Sequence, residues 1–434
     1  MNLDDLVDSI ELPEEFDGLP TFVVGGAVRD AARGVSPEDI DLMVAEVSPD
    51  EMNERGFREI DSPNNDTFAV FQDSLGREVA IAREEVSTGP GHTDFSVEPV
   101  PADVRASEAV SRDLARRDFT FNAMALDVRH SVLHDPHGGR GALDARIVRH
   151  VSDAFRDDPL RILRGARFAA RLDFDIAIET QVEMQEAAAR LSDLPQERVR
   201  LELEKALRQA ESPRLFFDWL RQVDALEETF PELAELIDVP AGPSTHHKEG
   251  DAFEHTMRVL EEMNDRREND ELALLMAIAH DLGKGETNDE VLPSHHGHGD
   301  AGIPVIERMV DRLSMSNEQE SAMKEAASMH MRLHDIEEMR DVTVLKTWQR
   351  MNHFHRMFDL MVADGRGREP EREWSRGSAL RRFGLAKAAC EEVTGQDLID
   401  DGHDPDEMGG EQFGDLLHQR RVEWMRNGVG EELK

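Results

Sequence analysis

At 434 residues the chain exceeds what one hydrophobic core can serve, and its 39% of hydrophobic residues suffices for about two to four domains. A formal charge of −42 would ordinarily argue against a nucleic-acid partner, no apolar run approaches the roughly 18 residues of a membrane span, and one cysteine, Cys390, excludes both a disulfide framework and a cysteine-built zinc site. The opening residues, MNLDDLVDSIELPEEFDG, lack the basic and apolar segments of a secretory signal, so a cytoplasmic protein with no membrane partner is expected.

The acidity is spread through every segment rather than gathered in a tail, and the first lysine is Lys205, so arginine carries nearly all the positive charge. This pattern suggests a halophilic protein in a salt-rich cytoplasm. At molar salt the Debye length is only roughly 3 Å, so local arginine clusters can hold phosphates despite the global charge.

Residues 21–150 alternate short β-like runs (TFVV, DIDLMVAEV, FREI, TFAVF, REVAIA) with helical segments, as in a small α/β domain. From about Val151 onward the strand signal vanishes. Helical spacing of apolar residues runs through 153–172, 179–192, 196–211 and 271–281. PAGPSTHHKEG (240–250) reads as a linker, DGRGREPEREWSRG (364–377) as a charged, irregular break, and GEQFGDLLHQRRVEWM as a terminal helix. No internal repeat is present.

In PEDIDLMV the strand period of two places Asp39 and Asp41 on one face, about 7 Å apart at Cα, close enough to share divalent cations. Just upstream, TFVVGGAVRD reads as a strand, a Gly25-Gly26 turn and a helix starting near Ala27. Glycines there let phosphates approach the backbone and the helix N–H groups, and Arg29 adds a forked donor one turn in. A phosphate cradle beside paired acids suits phosphoryl transfer. Two arginine-rich strings follow. RRDFTFNAMA (116–125) reads as opening a helix. DDPLRILRGARF (157–168) opens another, with Arg161, Arg164 and Arg167 every third residue and Pro159 in the first turn.

GGAVRD…DID, RRDFTFNAMA, DPHGGRGALDARIVRHV, DDPLRILRGARFAARL and PQERVRLELEKAL stand in the order and spacing of the class II tRNA nucleotidyltransferase and poly(A) polymerase family, which this chain resembles from about residue 21 to 365. HKEGDAFEHT, HDLGKG and LPSHHGHGDAG resemble the branch that appends an HD phosphohydrolase domain, and VTGQDLI and FGDLL resemble the tail of many members. The resemblance implies an α+β chain. A polymerase-β-like head with a small mixed sheet (1–150) would precede an all-helical neck that selects the nucleotide and binds tRNA (151–240), an HD domain (241–365) and a helical tail (366–434).

It further implies that Asp39 and Asp41 are catalytic and hold Mg²⁺, and that Gly26, Arg29, Arg117, Arg164 and Arg167 bind the nucleotide. Asp158 and Arg161 would read the incoming base. Cytosine and adenine each present an amino donor beside a ring-nitrogen acceptor, which a carboxylate and a guanidinium complement. Uracil and guanine reverse that polarity, a mismatch worth roughly 10⁴-fold or more. One position departs from the family pattern: Ala142 stands where an acid precedes leucine, in the segment linked to flexing between head and neck, with Asp144 two residues on.

In the second half, His255, His280, Asp281 and Asp364 match an HD metal site for a divalent ion, Ni²⁺ or Mg²⁺. Lys284 is placed to hold phosphate, and His295, His296 and His298 are available to a second ion. The expected activity is CCA addition to tRNA from CTP and ATP, with phosphatase and 2′,3′-cyclic phosphodiesterase activity in the HD domain. The alternatives are a poly(A) polymerase, a metal-dependent phosphohydrolase with an RNA-binding head, and a non-catalytic RNA-binding protein. Monomer and homodimer are both compatible with the sequence.

Overall fold

The computed structural model describes residues 1–60, 69–87, 95–245, 247–371 and 376–427. It divides into two compact units, residues 1–202 with 215–229 and residues 203–214 with 230–434.

The first unit is built on β1 (Thr21–Val24), β2 (Asp41–Val44), β3 (Arg58–Ile60), β4 (Val70–Gln72), β5 (Glu78–Ile81), β8 (Ala125–Asp127) and β9 (Leu133–His134), with β6 (Arg83–Ser87) and β7 (Phe95–Pro99) as a separate hairpin. The sheet order is β3-β4-β5-β2-β1-β8-β9; β2 and β5 run parallel and the other described neighbours antiparallel. β1 lies near the middle, and all four residues of its aromatic and β-branched run are buried, as a strand covered on both faces requires. Phe22, Val24, Met43 and Ala45 pack against Val110 and Leu114 of the helix Ala106–Ala115. The start of TFAVF, Thr67 and Phe68, lies outside the described residues.

Register places the site. Val24, the last residue of β1, pairs with Asp41, the first of β2, and Val24 also pairs with Ala125 at the start of β8. The parallel pairing of Leu42 with Val79 sets Glu78 beside Asp41. Four element ends thus meet at one edge, where the helix Gly26–Ala32 begins.

Three expectations for this unit change. Asp39 precedes the strand rather than lying in it. RRDFTFNAMA does not open a helix: it follows the helix Ala106–Ala115, makes a short 3₁₀ turn (Thr120–Asn122) and enters β8, because Phe119 and Phe121 are drawn into a cluster with Phe155, Phe168 and Phe174. A two-residue strand, Asp175–Ile176, pairs in parallel with Ile147–Val148 beyond the point where the strand signal ends. The helix Leu160–Leu172 buries Ile162, Leu163, Ala166, Ala169 and Ala170, which leaves Arg161 and Arg164 on its half-exposed side.

The second unit is helical. Glu271–Ala279 is apolar all round and wholly buried from Ala273 on, the signature of a central helix. Around it lie Ala252–Arg266, His298–Leu313, Asn317–His334 and Phe354–Gly367, the first capped by Asp251 and the third by a Ser316/Gln319 capping box. Gly283 is required at the turn after the central helix: a Cβ there would stand 1.9 Å from the His298 carbonyl oxygen. Residues 240–250 are no free linker. Ala241 accepts from Lys284, and Lys248 donates to the Glu369 carbonyl, which folds the described part of the segment onto this bundle. The helix Phe354–Gly367 runs into the segment read as an irregular break, of which 372–375 lie outside the described residues. Helices Arg376–Glu392 and Gly410–Asn427 follow, the second over the expected terminal stretch. Among the described residues no helix is long and apolar enough to cross a membrane.

Candidate active sites

A cleft of about 410 Å³ in the first unit is lined by Gly25, Gly26, Arg29, Asp41, Arg116, Arg117, Asp118, Asn122, Asp158, Arg161, Arg164 and Phe168. Gly25 has φ +68°, and a Cβ there would meet Arg117 Nη1 at 3.3 Å and Asp41 Oδ2 at 3.8 Å, so the turn, the acid and the arginine are in mutual contact range. Burial pushes the Asp41 carboxyl up, and the like charges of Glu78 and Asp39 add to this while Arg117 opposes it. Three carboxylates crowded at one strand edge fit a divalent cation, which would reverse that repulsion.

The arginines are held by a second layer of acids. Asp113 is buried, and although burial raises its pKa, Arg117 and Arg116 hold it down at about 2, each through forked bonds of 2.7–3.2 Å. Arg29 is buried and chelates Asp30 through two 2.8 Å bonds while donating to Asn122 Oδ1. Asp118 accepts from the Phe119 N–H, Asn122 and Arg164; burial raises its pKa, but Arg164 wins and lowers it. Arg164 thereby sits over the cleft. Arg167 does not: it pairs with buried Glu202 at 2.6 Å, its guanidinium 4.3 Å from the Phe168 ring centroid.

Asp158 and Arg161 both line the cleft but do not pair with each other. Asp158 Oδ1 caps the arginine helix through the Leu160 N–H, and Arg161 donates to the Ala154 and Arg116 carbonyls at 2.6 and 2.8 Å.

In the second unit a buried cluster gathers around Asp281. Its Oδ2 lies 2.7 Å from Lys284 Nζ, 3.2 Å from His280 Nε2 and 3.6 Å from His255 Nε2, and its Oδ1 lies 3.1 Å from His298 Nε2 and 3.4 Å from His330 Nε2. Asp364, in the last turn of its helix, reaches His255 Nε2 at 3.2 Å and is held by His334 and Arg368. Burial raises the Asp281 and Asp364 carboxyls, but the surrounding cations hold both well below the usual carboxylate range, His280 and Lys284 for the first and Arg368 and His334 for the second. Nε2 of His255 and of His280 is buried without a hydrogen-bond partner, as metal ligands would be. Above the cluster a pocket of about 210 Å³ is lined by His298, His330, Lys284 and Arg368 among others.

Three family models match the chain: the Poly A polymerase head domain over 21–149, the probable RNA and SrmB-binding site of polymerase A over 173–237, and the HD domain over 252–371. Proteins named multifunctional CCA protein from Thioalkalivibrio sulfidiphilus and Nitrosococcus oceani are each 37% identical to it, over 94% and 95% of this chain and 98% and 100% of theirs. The chain belongs to the multifunctional CCA protein family. Its fold is that of CCA-adding enzymes: an apo form aligns over 99% of this chain and 98% of its own at TM-score 0.65 and 21% identity. The Thermotoga maritima CCA-adding enzyme complexed with tRNA aligns over 100% and 96% at 0.62 and 20%.

For a multifunctional CCA protein, the motif residues Gly26, Arg29, Asp41, Arg117, Asp158, Arg161 and Arg164 all come to one cleft, with Asp39 close enough to act on the charge of Asp41. His255, His280, Asp281 and Asp364 come together in the other unit. Of the three histidines in HHGHG only His298 joins them; His295 bonds the Pro240 carbonyl and Thr287, and His296 is exposed. Glu78, Asp113, Asn122, Glu249, His330 and His334 carried no spacing signal, since each reaches its site through strand register or helix packing. Ala142 is buried in the helix Gly139–Asp144, whereas Asp144 is exposed, two residues and roughly 200° around, so its carboxylate cannot take that place.

Proposed function

We propose that this protein adds CCA to tRNA 3′ ends from CTP and ATP in its first unit and hydrolyses phosphate esters in its second. The observation that carries the first part is the meeting of Asp41, Gly25 and Arg117 at one sheet edge. Divalent ions held by Asp39 and Asp41, with Glu78 as a third carboxylate and Mg²⁺ as the natural ion, would activate the terminal hydroxyl and neutralise the triphosphate. Gly26 gives phosphates access to the helix N-terminus, while Arg117 and Arg164, set by Asp113 and Asp118, supply fixed positive charge. Asp158 and Arg161 read the base edge, accepting C and A and leaving U and G with unmatched donors and acceptors. Arg167 supports that wall from behind through Glu202.

In the second unit His255, His280, Asp281 and Asp364 would hold an ion, Ni²⁺ or Mg²⁺, that supplies activated water for phosphatase and 2′,3′-cyclic phosphodiesterase chemistry. Lys284 and Arg368 offer charge to the phosphate. The working division is a head over 1–150, a nucleotide-selecting and tRNA-binding neck over 151–240, an HD domain over 241–365 and a tail over 366–434. A cytoplasmic, salt-adapted setting accounts for the charge of −42; rapid loss of the folded CD signal on transfer from molar KCl to dilute buffer supports this, and full stability there refutes it.

The deciding assay uses tRNA lacking its three terminal nucleotides, in high salt with Mg²⁺ and labelled CTP, ATP, UTP or GTP, singly and together. Growth by CCA and no further is expected. An unbounded A tail instead makes the head a poly(A) polymerase, and no extension leaves only the hydrolase.

A further inference from the structure

Three histidines around Asp281 have their tautomers fixed by the backbone. His280 Nδ1 lies 2.6 Å from the Ala277 carbonyl, His298 Nδ1 2.6 Å from the His295 carbonyl, and His330 Nδ1 2.9 Å from the Ala327 carbonyl. A carbonyl only accepts, so each Nδ1 donates and each neutral ring turns a bare Nε2 lone pair inward. Those lone pairs do not face hydrogen-bond donors. His298 and His330 point theirs at each other across 3.0 Å and both at Asp281 Oδ1, while His280 points at Oδ2. Lys284 compensates the Oδ2 side alone. The ligand atoms of Asp281, His298 and His330 lie within 4.8 Å of one another, and all three residues are buried. Acceptors packed so closely away from water repel unless a cation sits among them.

We propose that Asp281 bridges two divalent ions: one held through Oδ2 with His255, His280 and Asp364, and a second held through Oδ1 with His298 and His330. This rests on the reading of the first ion given above and extends it. Nitrogen and carboxylate ligands select a borderline first-row ion such as Mn²⁺, Fe²⁺ or Ni²⁺. The second position faces the pocket lined by Lys284 and Arg368, where an ion pair would clamp a phosphate ester. The same geometry with a proton on His298, shared with Asp281, would hold no second ion.

The test uses the full chain carrying Asp41→Ala, to silence the head, stripped with chelator and reloaded with Mn²⁺ in molar KCl. Equilibrium dialysis and EPR should find about two ions per chain giving an exchange-coupled signal. His298→Gln and His330→Gln should each leave one uncoupled ion with unchanged far-UV CD. One uncoupled ion in the parent protein overturns the second site and leaves the first standing. Two uncoupled ions overturn the bridge, and no bound ion overturns both readings. The parent spectrum decides even if neither variant folds.

Discussion

The two clefts solve opposite electrostatic problems. The head site is open, its acids at the strand edge exposed, and its arginines are pre-aimed by buried carboxylates that take up part of each fork. The histidine cluster is closed, and its ligand set comes from five separate stretches of chain packed around one carboxylate. An open site can admit a long polyanion and expel pyrophosphate, whereas a closed one suits a small ester and a tightly held ion. The difference also decides what each site loses when a residue is removed: the open site loses chemistry, the closed one a keystone of its packing as well.

The contrast breaks most sharply by deleting one acid from each. Asp41→Ala should lower nucleotide addition by roughly 10³-fold or more while sparing phosphatase activity, and Asp281→Ala should do the reverse, both read by parallel assays on the same preparation. Loss of both activities in a folded single mutant would mean that the sites are not independent.

Arg167→Met comes next. It leaves Glu202 buried without this partner, so a stability loss of about 3–5 kcal/mol by denaturant unfolding is expected, with Glu202→Gln in the same chain recovering much of it. A large rise in KM for CTP without a stability change would return Arg167 to the nucleotide wall.

Acid should act on the head through Asp113. Its folded pKa of about 2 lies below the unfolded value near 3.8, so its contribution is fully present above about pH 4 and is lost as pH falls through about 2. That contribution is about 2–3 kcal/mol, and Asp113→Asn should flatten unfolding free energy against pH across this window. The smallest expected effect is that of Asn122→Ala, which removes the contacts to Arg29 and Asp118. About a tenfold rise in KM for the nucleotide with little change in kcat would identify it as a positioning residue.

Most of the open site was legible in the sequence because its residues lie in contiguous strings: a glycine turn, an alternating pair of acids, and arginines at helical spacing. What escaped depends on three-dimensional register. Glu78 reaches Asp41 only because β5 runs parallel to β2, and RRDFTFN abandons helix because two phenylalanines gain more in the aromatic cluster than in a continued helix. In the closed site HD and EHT were readable, while His330 and His334 look like any polar residues of a long helix until its packing turns them inward. Residues 240–250 misled through composition: Pro, Gly and Ser suggested a tether, but His247 and Glu249 are anchored within the bundle, the latter accepting from the Glu369 N–H.

The bond from Asp118 to Arg164 joins a turn before β8 to a helix that starts some forty residues later, and Asn122 ties the same turn back to Arg29. These side chains form one truss, so a displacement of the arginine helix cannot leave the glycine turn indifferent. Whatever base is seated against that helix, its fit is transmitted mechanically to the place where the phosphates rest, and selection and reaction share a single frame.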